Sequence, residues 1–308
     1  MLDKFQKTLT QKVCFKGIGL HSGKISTINI FPANEDEGIV FKRVDLSQNN
    51  LIQANYTNVS VAKLCTTLEN NFGIRVSTVE HLLAAFYIAG IDNALVEIDN
   101  EEVPIMDGSS KQFLEVFDDN LIKEQSKKRK YLKISDRIEL IDGKRKISIE
   151  PNKSSLEIDF QLNYKNKIIG KQKNTVDFQS DNLDEVSSSR TFCLYEDIEK
   201  IKKFGLAKGG SLDNAVVVDK DKILNEDGLR NKKEFVNHKI LDLAGDLMLS
   251  GHRIIGKVTC DQGGHELTNL FLRKIFSSNE SFIIVEQKDF KVSKKIQSKE
   301  LENIAVNA

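Results

Sequence analysis

Hydrophobic and polar residues alternate in several short segments of the first third of the chain. The clearest of these segments are KISTINIF, GIVFKRV and ALVEID, and each has the length of one β-strand. A helix is predicted at VEHLLAAFYIAG, because its apolar residues recur at the spacing of helical turns and Gly90 stands at its end. Short strands combined with a separate helix indicate an α+β fold.

The second half of the chain repeats this order of elements. Strands are predicted at KISIEP, SLEIDFQLNY and AVVVD, and helices at YEDIEKIKKF and EFVNHKILDLAGDLMLSG, with the loop GLAKGGSLDNA between them. The charged stretch IKEQSKKRKYLKI, residues 122–134, is the best candidate for a linker. We therefore predict two α+β domains, residues 1–124 and 125–308, the second of which ends in a strand and a polar tail.

The long helix predicted over residues 234–251 carries His238, Asp242 and Asp246 at intervals of four residues. With 3.6 residues per turn, this spacing places the three side chains along one face, whereas the apolar residues of the helix point in other directions. A His and an Asp at this spacing can share one metal ion. The alternative interpretation is a solvated polar face on the helix surface.

Glu80 and His81 stand at the predicted start of the first helix. Glu80 follows Ser77 at the spacing of a capping box, which is a purely structural interpretation. The functional interpretation is that a neutral His81, near the positive end of the helix dipole, ligates a metal and Glu80 beside it acts as a general base. A partly buried structural histidine is the alternative for His81.

His265 lies in the segment DQGGHELTN, which predicts a flexible, glycine-rich loop. A histidine in such a loop is either an ordinary turn residue or a mobile acid that can protonate a leaving amine. The spacing of residues alone does not decide between these two interpretations.

Composition excludes several classes of protein. The chain has 308 residues, of which 45 are basic and 45 acidic, so its formal net charge of zero gives no long-range attraction to nucleic acid or to an anionic membrane. It contains neither an apolar N-terminal run nor 18 consecutive apolar residues, so we expect no signal peptide, no stable membrane insertion and a cytoplasmic location. The four cysteines are far apart and form no CxxC pair, which favours free thiols.

Two glycine-containing segments do not fit phosphate-binding loops. The segment GIGLHSG is followed by the strand-like KISTINIF, whereas a dinucleotide fingerprint must open a helix. The segment KGGSLDNA lacks the GK[ST] sequence of a P-loop, so its glycines are predicted to form a turn into the strand AVVVD.

Seven segments, taken together and in order, resemble one known family. They lie between residues 12 and 275 and are GIGLHSGK, STVEHLLAA, GIDNALVEIDNEEVPIMDGSS, SRTF, GLAKGGSLDNAVVV, NHKILDLAGD and GGHELTN. The family is that of the UDP-3-O-acyl-N-acetylglucosamine deacetylases, zinc amidases of lipid A synthesis in Gram-negative bacteria. The resemblance implies two domains of similar topology, each a β-sheet packed on a pair of helices with a small insert, and a zinc site between them.

The resemblance also implies a metal site and a base. His81, His238 and Asp242 match the three zinc ligands of the family, which leaves one position open for water, as in catalytic zinc sites. Glu80 matches the general base. Iron(II) suits the same ligand set, because these ligand types do not separate the two metals.

Four further residues acquire roles by the same resemblance. His265 matches the catalytic histidine that stabilises the developing negative charge and protonates the leaving amine, and Asp246 matches the carboxylate that orients it. Thr191, in SRTF, matches a hydroxyl that stabilises the oxyanion. Lys239 matches a residue of the substrate-binding region.

The activity implied is the hydrolysis of the acetamide of UDP-3-O-(3-hydroxyacyl)-N-acetylglucosamine to the free amine and acetate. Zn²⁺ is the expected cofactor and a small molecule the expected partner, and we expect a monomer. In this family, the insert around YEDIEKIKKFGLAKGG forms an apolar passage for the acyl chain. The residues suited to line it are Phe192, Ile198, Ile201, Leu206 and Ala207.

The chain departs from the family pattern where the nucleotide is expected to bind. Gln262 replaces a lysine that commonly precedes the catalytic histidine and can pair with the diphosphate, and Tyr164, followed by Asn166 and Lys167, stands where a Phe and a His-Pro pair are common. One alternative is therefore a zinc deacetylase whose substrate lacks the nucleotide. Another is a catalytically silent protein that only binds the sugar nucleotide.

Overall fold

The computed structural model describes residues 2–278 and 280–286. The first part of the chain forms nine strands, two helices and a 3₁₀ turn at Tyr56–Asn58. These elements are β1 (Phe5–Leu9), β2 (Val13–Ile18), β3 (Ile25–Pro32), β4 (Ile39–Arg43), β5 (Leu51–Gln53), β6 (Val59–Val61), β7 (Thr67–Glu69), β8 (Arg75–Ser77), α1 (Glu80–Ala89), β9 (Ala94–Ile98) and α2 (Lys111–Leu114).

Five of these strands form one sheet in the order β2-β3-β9-β4-β5. Strands β4 and β9 are parallel, and all other neighbours are antiparallel. Strands β6, β7 and β8 form a separate antiparallel sheet, and α1 begins three residues after β8 ends. This small sheet therefore lies directly before the residues Glu80 and His81.

The rest of the described chain follows a second 3₁₀ turn at Asp119–Leu121. Its elements are β10 (Ile122–Lys128), β11 (Lys130–Ile134), β12 (Ile138–Asp142), β13 (Arg145–Glu150), β14 (Leu156–Asn163), β15 (Lys171–Asp177), α3 (Asp184–Ser187), β16 (Phe192–Leu194), α4 (Tyr195–Lys203), β17 (Val216–Asp219), β18 (Lys222–Ile223), α5 (Glu234–Met248), β19 (Arg253–Asp261), α6 (His265–Ser277) and β20 (Phe282–Glu286).

Strand β19 is the centre of a seven-stranded sheet. It is parallel to β11 and β14 and antiparallel to β13, while β12, β15 and β20 extend the sheet from β13, β14 and β11. Strands β16, β17 and β18 form a small sheet beside α4. The mixture of sheets and packed helices confirms the predicted α+β class.

The alternating pattern of the sequence corresponds to one buried face on each sheet. In β14, Leu156, Ile158 and Phe160 are buried and the residues between them are partly exposed. In β3, Ile28 and Ile30 are fully buried in the same way. The period of two therefore identified strands correctly, because successive side chains of a strand point to opposite faces.

Helices α1 and α5 pack directly against each other at the centre of the molecule. Nearly every residue of both helices is buried, and one hydrophobic core includes residues of both helices and of both large sheets. The predicted end of α1 is confirmed, because Gly90 adopts a left-handed conformation with φ of 78°.

Gly245 allows α5 to approach the start of α1 closely. A Cβ atom at this position would lie 2.1 Å from the carbonyl oxygen of Glu80 and 3.1 Å from the amide nitrogen of Ala84. Such distances are far below van der Waals contact, so only glycine fits here without a shift of one helix.

The predicted linker at residues 122–134 is wrong as a description of local structure, because these residues form β10 and β11. Strand β10 pairs with β1 at the start of the chain, and β11 pairs with β19 and β20. The partners are distant in sequence and the charged side chains are largely exposed, so the local pattern resembled a loop.

Three other predictions concern the ends and the surface of the chain. Strand β20 is the expected terminal strand, whereas the polar tail lies outside the described residues. All four cysteines are free thiols, as predicted. None of the helices in the described part of the chain combines the length and the apolarity needed to cross a membrane.

We predict that Gly245→Ala destabilises the protein by about 3 kcal/mol or more, the upper end of the usual cost of overpacking, because its Cβ collides with the backbone of α1. Urea unfolding measures this change through the midpoint. The control is Gly264→Ala, at an extended position where a Cβ meets no atom within 4 Å. Equal midpoints for the two variants would show that the helices are not held as closely as described.

Candidate active site

The structure brings together the three residues predicted as metal ligands. His81 comes from α1, and His238 and Asp242 come from α5. One ligand atom from each residue lies within 4.8 Å of the other two, and Oδ1 of Asp242 is 3.3 Å from Nε2 of each histidine. All three side chains are buried, so the interpretation of the α5 stripe as a solvated face is wrong.

Backbone contacts orient the two histidines. Nδ1 of His238 lies 3.1 Å from the carbonyl oxygen of Ser189, and since a carbonyl only accepts, this nitrogen carries the proton and Nε2 has the free lone pair. The hydroxyl of Ser110 donates to the carbonyl oxygen of His81 at 2.7 Å and fixes the first turn of α1. The rings of His81 and His238 pack edge to face, with centroids 5.0 Å apart.

The electrostatics of these residues suit a divalent cation. Burial lowers the pKa of His238 to about 3, so its imidazole is neutral and can coordinate. Burial opposes ionisation of Asp242, yet the positive charge of Lys239 holds the pKa of this carboxyl well below its usual range. Nζ of Lys239 donates to Oδ2 of Asp242 at 2.7 Å.

Two buried polar atoms of this group lack a hydrogen-bond partner among the described residues. They are Oδ1 of Asp242 and Nδ1 of His81. An ionised carboxylate oxygen that is buried and unpaired is costly unless it binds a cation. The donor set of two imidazoles and one carboxylate is that of catalytic zinc sites, so these residues fit the metal that the sequence predicted.

Glu80 lies next to the ligand set and is also buried. Its Oε2 accepts a hydrogen bond from the backbone N–H of Thr66 at 3.0 Å, and its Oε1 lies 3.9 Å from Nε2 of His265. Burial raises the pKa of Glu80. A carboxylate with a raised pKa is a stronger base, which is suited to taking a proton from water near neutral pH.

His265 forms a close pair with Asp246. Nδ1 of His265 is 2.8 Å from Oδ2 of Asp246, and the hydroxyl of Thr66 donates to the other oxygen of Asp246 at 2.6 Å. Burial alone would favour the neutral ring, but the carboxylates of Asp246 and Glu80 raise the pKa of His265 to about 9. His265 is therefore a cation at ordinary pH, with Nε2 directed towards Glu80 and Asp242 at 3.9 Å from each.

Two local predictions about these residues are wrong. Ser77 and Glu80 form no capping box, because Ser77 belongs to β8 and Glu80 instead accepts from Thr66. His265 is not in a flexible loop, since it is the buried first residue of α6. At Glu80 a contact from a separate segment replaces the suggested cap, and at His265 a helix begins where a loop was predicted.

An apolar cavity of about 370 Å³ lies beside this group. Of the residues predicted to contact the acyl chain, Phe192, Ile198, Ile201 and Ala207 line it. Its lining, taken over the described residues, does not include Leu206 or Tyr164, although the Tyr164 ring lies 5.8 Å from that of Phe192.

Thr191 also lines this cavity. Its backbone N–H donates to the carbonyl of Gly108, and its carbonyl accepts from Val216. Its hydroxyl makes no hydrogen bond within the part of the chain that the structure describes, so it is available to a bound molecule. Nζ of Lys239 lies 5.6 Å from the centroid of the Phe192 ring, so this lysine stands between the ligand set and the cavity.

Sequence reasoning missed two polar residues of this region. Thr66 bonds to both Glu80 and Asp246, but 180 residues separate it from Asp246, so no local pattern could reveal the contact. His21, in the rejected segment GIGLHSG, lines the cavity with its buried Nε2 unpaired among the described residues. The one feature of the sequence that could have indicated a role for His21 is the presence of a histidine in this glycine-containing segment.

We predict that Asp246→Asn lowers the pKa of His265 below about 9, because the substitution removes the nearest negative charge and leaves burial to favour the neutral ring. NMR titration of the His265 imidazole in chelator-treated protein measures the shift. Asp261→Asn, which changes a carboxylate close in sequence with no contact to His265, is the control and should leave the pKa unchanged. An unaltered pKa in Asp246→Asn would contradict this account of the pair.

Comparisons with known proteins agree with this geometry. A family model described as UDP-3-O-acyl N-acetylglycosamine deacetylase matches residues 6–277. Proteins named UDP-3-O-acyl-N-acetylglucosamine deacetylase include relatives from Geobacter sp. (strain M21), 41% identical over 92% of both chains, and from Geotalea uraniireducens (strain Rf4), 42% identical over 92% of both chains. A relative from Actinobacillus pleuropneumoniae serotype 3 (strain JL03) is 39% identical over 92% of this chain and 94% of its own. The chain therefore belongs to the UDP-3-O-acyl N-acetylglycosamine deacetylase family.

Proposed function

We propose that this protein is a zinc-dependent hydrolase that removes acetate from UDP-3-O-(3-hydroxyacyl)-N-acetylglucosamine in lipid A biosynthesis. The observation that carries the proposal is the buried group in which a base, Glu80, and a cationic acid, His265, flank one ligand set. The names of the relatives supply the substrate. A protein that only binds the sugar nucleotide needs no such combination of base, ligands and acid.

His81, His238 and Asp242 would hold the zinc ion, and the support is their mutual distance together with the unpaired Oδ1 of Asp242. When bound, zinc supplies Lewis-acid chemistry, in that it acidifies water and polarises an amide carbonyl. Iron(II) would occupy the same ligands, so the native metal is a matter for measurement.

Glu80 and His265 would carry the proton transfers. Glu80 accepts a proton from the attacking water, whose oxygen forms a bond to the acetamide carbon. His265, kept protonated by Asp246, gives its Nε2 proton to the sugar nitrogen as the carbon–nitrogen bond breaks. The products are acetate and the free amine. The raised pKa of both groups supports this division of roles.

Thr191 and Lys239 would stabilise the negative charge that develops on the carbonyl oxygen. The support for Thr191 is its position on the cavity wall with an uncommitted hydroxyl. Lys239 is partly buried beside Asp242, and its ammonium group adds a fixed positive charge near the ligand set.

The apolar cavity would take the 3-hydroxyacyl chain against Phe192 and Ile198, and Leu206 precedes the lining residue Ala207. Tyr164 is proposed to contact the uridine, since it is exposed and its ring packs near Phe192. Gln262 offers no cation for the diphosphate. This difference is the one observation that favours a second candidate function, deacetylation of a related substrate without the nucleotide.

We also propose that residues 1–124 and 125–308 are the two domains and that the protein is a cytoplasmic monomer. All strands of the five-stranded sheet come before the boundary, and all strands of the seven-stranded sheet come after it. Strand β10 contains the boundary itself. The four free thiols suit a reducing compartment. The monomeric state rests on no structural observation and stays a sequence-based prediction.

We predict that purified protein releases acetate from UDP-3-O-(3-hydroxyacyl)-N-acetylglucosamine, loses this activity with a chelator and regains it with zinc. Glu80→Gln should lower turnover by about a hundredfold or more while zinc remains bound, because the base is lost and the ligands are kept. His238→Ala should lose the metal as well, as elemental analysis would measure.

The control for this experiment is Glu266→Gln, an exposed neighbour of His265, which should keep full activity. Full activity of Glu80→Gln would overturn the role of the base. Zinc binding without acetate release from this substrate would overturn the proposed reaction.

A further prediction separates the two candidate substrates. We expect acetate release to be much faster from the UDP-linked sugar than from the same acylated sugar without UDP. Gln262→Lys should lower KM for the UDP-linked substrate by about tenfold with kcat unchanged, because it adds a charge-assisted contact to the diphosphate. Equal rates on both sugars would favour the substrate without the nucleotide.

A further inference from the structure

Several exposed apolar residues lie on or close in sequence to the lining of the 370 Å³ cavity. Phe204 is 83% exposed, the largest exposed fraction of any large hydrophobic residue in the described part of the chain. Tyr195, Leu212 and Leu64 are also exposed, and all three line the cavity. We call these four residues, with Lys202, Lys203 and Lys208, the rim patch.

Helix α4 has an unusual position for an amphipathic helix. Its apolar residues Ile198 and Ile201 face the cavity, and none of its residues is fully buried. An amphipathic helix normally buries its apolar face in a core. Here that face borders an open cavity and ends beside Phe204, so the apolar surface is left accessible to a partner.

The charges around Phe204 indicate which partner this is. Lys202, Lys203 and Lys208 are exposed, and none of them forms an ion pair with any residue that the structure describes. Two of the three acidic residues of α4, Glu196 and Asp197, lie in its first turn, where Asp197 pairs with Lys200, and Glu199 is at its middle. The chain as a whole is neutral, yet the lysines beside Phe204 form a local positive group.

We propose that the rim patch docks on the surface of an anionic phospholipid bilayer. An aromatic ring that projects from the surface can insert at the level of the headgroups, and unpaired lysines around it gain from contact with anionic lipids. A hydrophobic protein groove would match Phe204 but would give the three free ammonium groups no partner. Docking would also place the cavity opening at the bilayer surface, where an acyl chain could enter without crossing water.

The chain contains no tryptophan, so a single-tryptophan reporter can be placed at the patch. We expect the fluorescence of Phe204→Trp to shift to shorter wavelength on addition of vesicles of equimolar phosphatidylglycerol and phosphatidylcholine. Phosphatidylcholine vesicles should give no shift. The matched control is Phe72→Trp, at an exposed phenylalanine outside the patch, 66% accessible, which should give no shift with either vesicle.

Co-sedimentation with the same vesicles tests the two components of the patch separately. Phe204→Ser should lower the partition coefficient by about tenfold or more, the loss expected for one buried aromatic side chain. Lys202→Glu with Lys203→Glu should abolish the preference for phosphatidylglycerol, whereas Lys123→Glu with Lys153→Glu, at exposed positions elsewhere, should preserve it.

Several outcomes would overturn the proposal. The first is that Phe204→Ser binds the vesicles as strongly as the wild type does. The second is that the wild type binds both kinds of vesicle equally, and the third is that it binds neither. The measurement uses no substrate, so its failure would leave the proposed hydrolysis intact. Circular dichroism spectra and urea midpoints equal to those of the wild type check that the fold of each variant is retained.

Discussion

The candidate site depends on one backbone contact, the approach of Gly245 in α5 to the carbonyl of Glu80 in α1. Because no Cβ separates the two helices there, the first turn of α1 lies directly against the middle of α5. His81 then meets His238 and Asp242 within the reach of a single ion. A larger residue would separate the helices and with them the ligands, even if each helix kept its own conformation.

This contact creates a buried environment, in which the ionisation of each polar group depends on the charges and hydrogen bonds of its neighbours. Three carboxylates, Glu80, Asp242 and Asp246, lie close together in a space that disfavours charge. Lys239 compensates Asp242 and His265 compensates Asp246, whereas Glu80 accepts only a backbone N–H and lies 3.9 Å from His265. Burial therefore raises the pKa of Glu80, whereas at Asp242 the charge of Lys239 outweighs burial and keeps the carboxylate ionised.

The sequence was informative wherever the determining contacts were local. The period of the apolar residues identified α1 and α5, and Gly90 marked the end of α1. The spacing of four along α5 put His238 and Asp242 on one face, but whether that face met solvent or another helix was not decided by spacing. Only the family resemblance, carried by seven segments at once, selected the metal site over the solvated face.

The errors share one physical cause. The stretch 122–134 is strand because its partners β1, β19 and β20 come from both ends of the chain. Glu80 resembled a cap because its real partner, Thr66, belongs to a separate segment of the chain. A hydrogen bond across many residues leaves no periodic trace, so sequence patterns favour the local alternative.

The net charge of the chain describes only the molecule as a whole, because a sum carries no information about position. Forty-five positive and 45 negative residues excluded attraction of the whole molecule to a membrane, and that exclusion holds only at long range. Close to a bilayer, the electrostatic interaction depends on how the charges within one Debye length of the lipid surface are arranged. Close to Phe204 that arrangement is three exposed lysines, which form no ion pair with the residues that the structure describes. A neutral protein can therefore be locally cationic beside its apolar cavity.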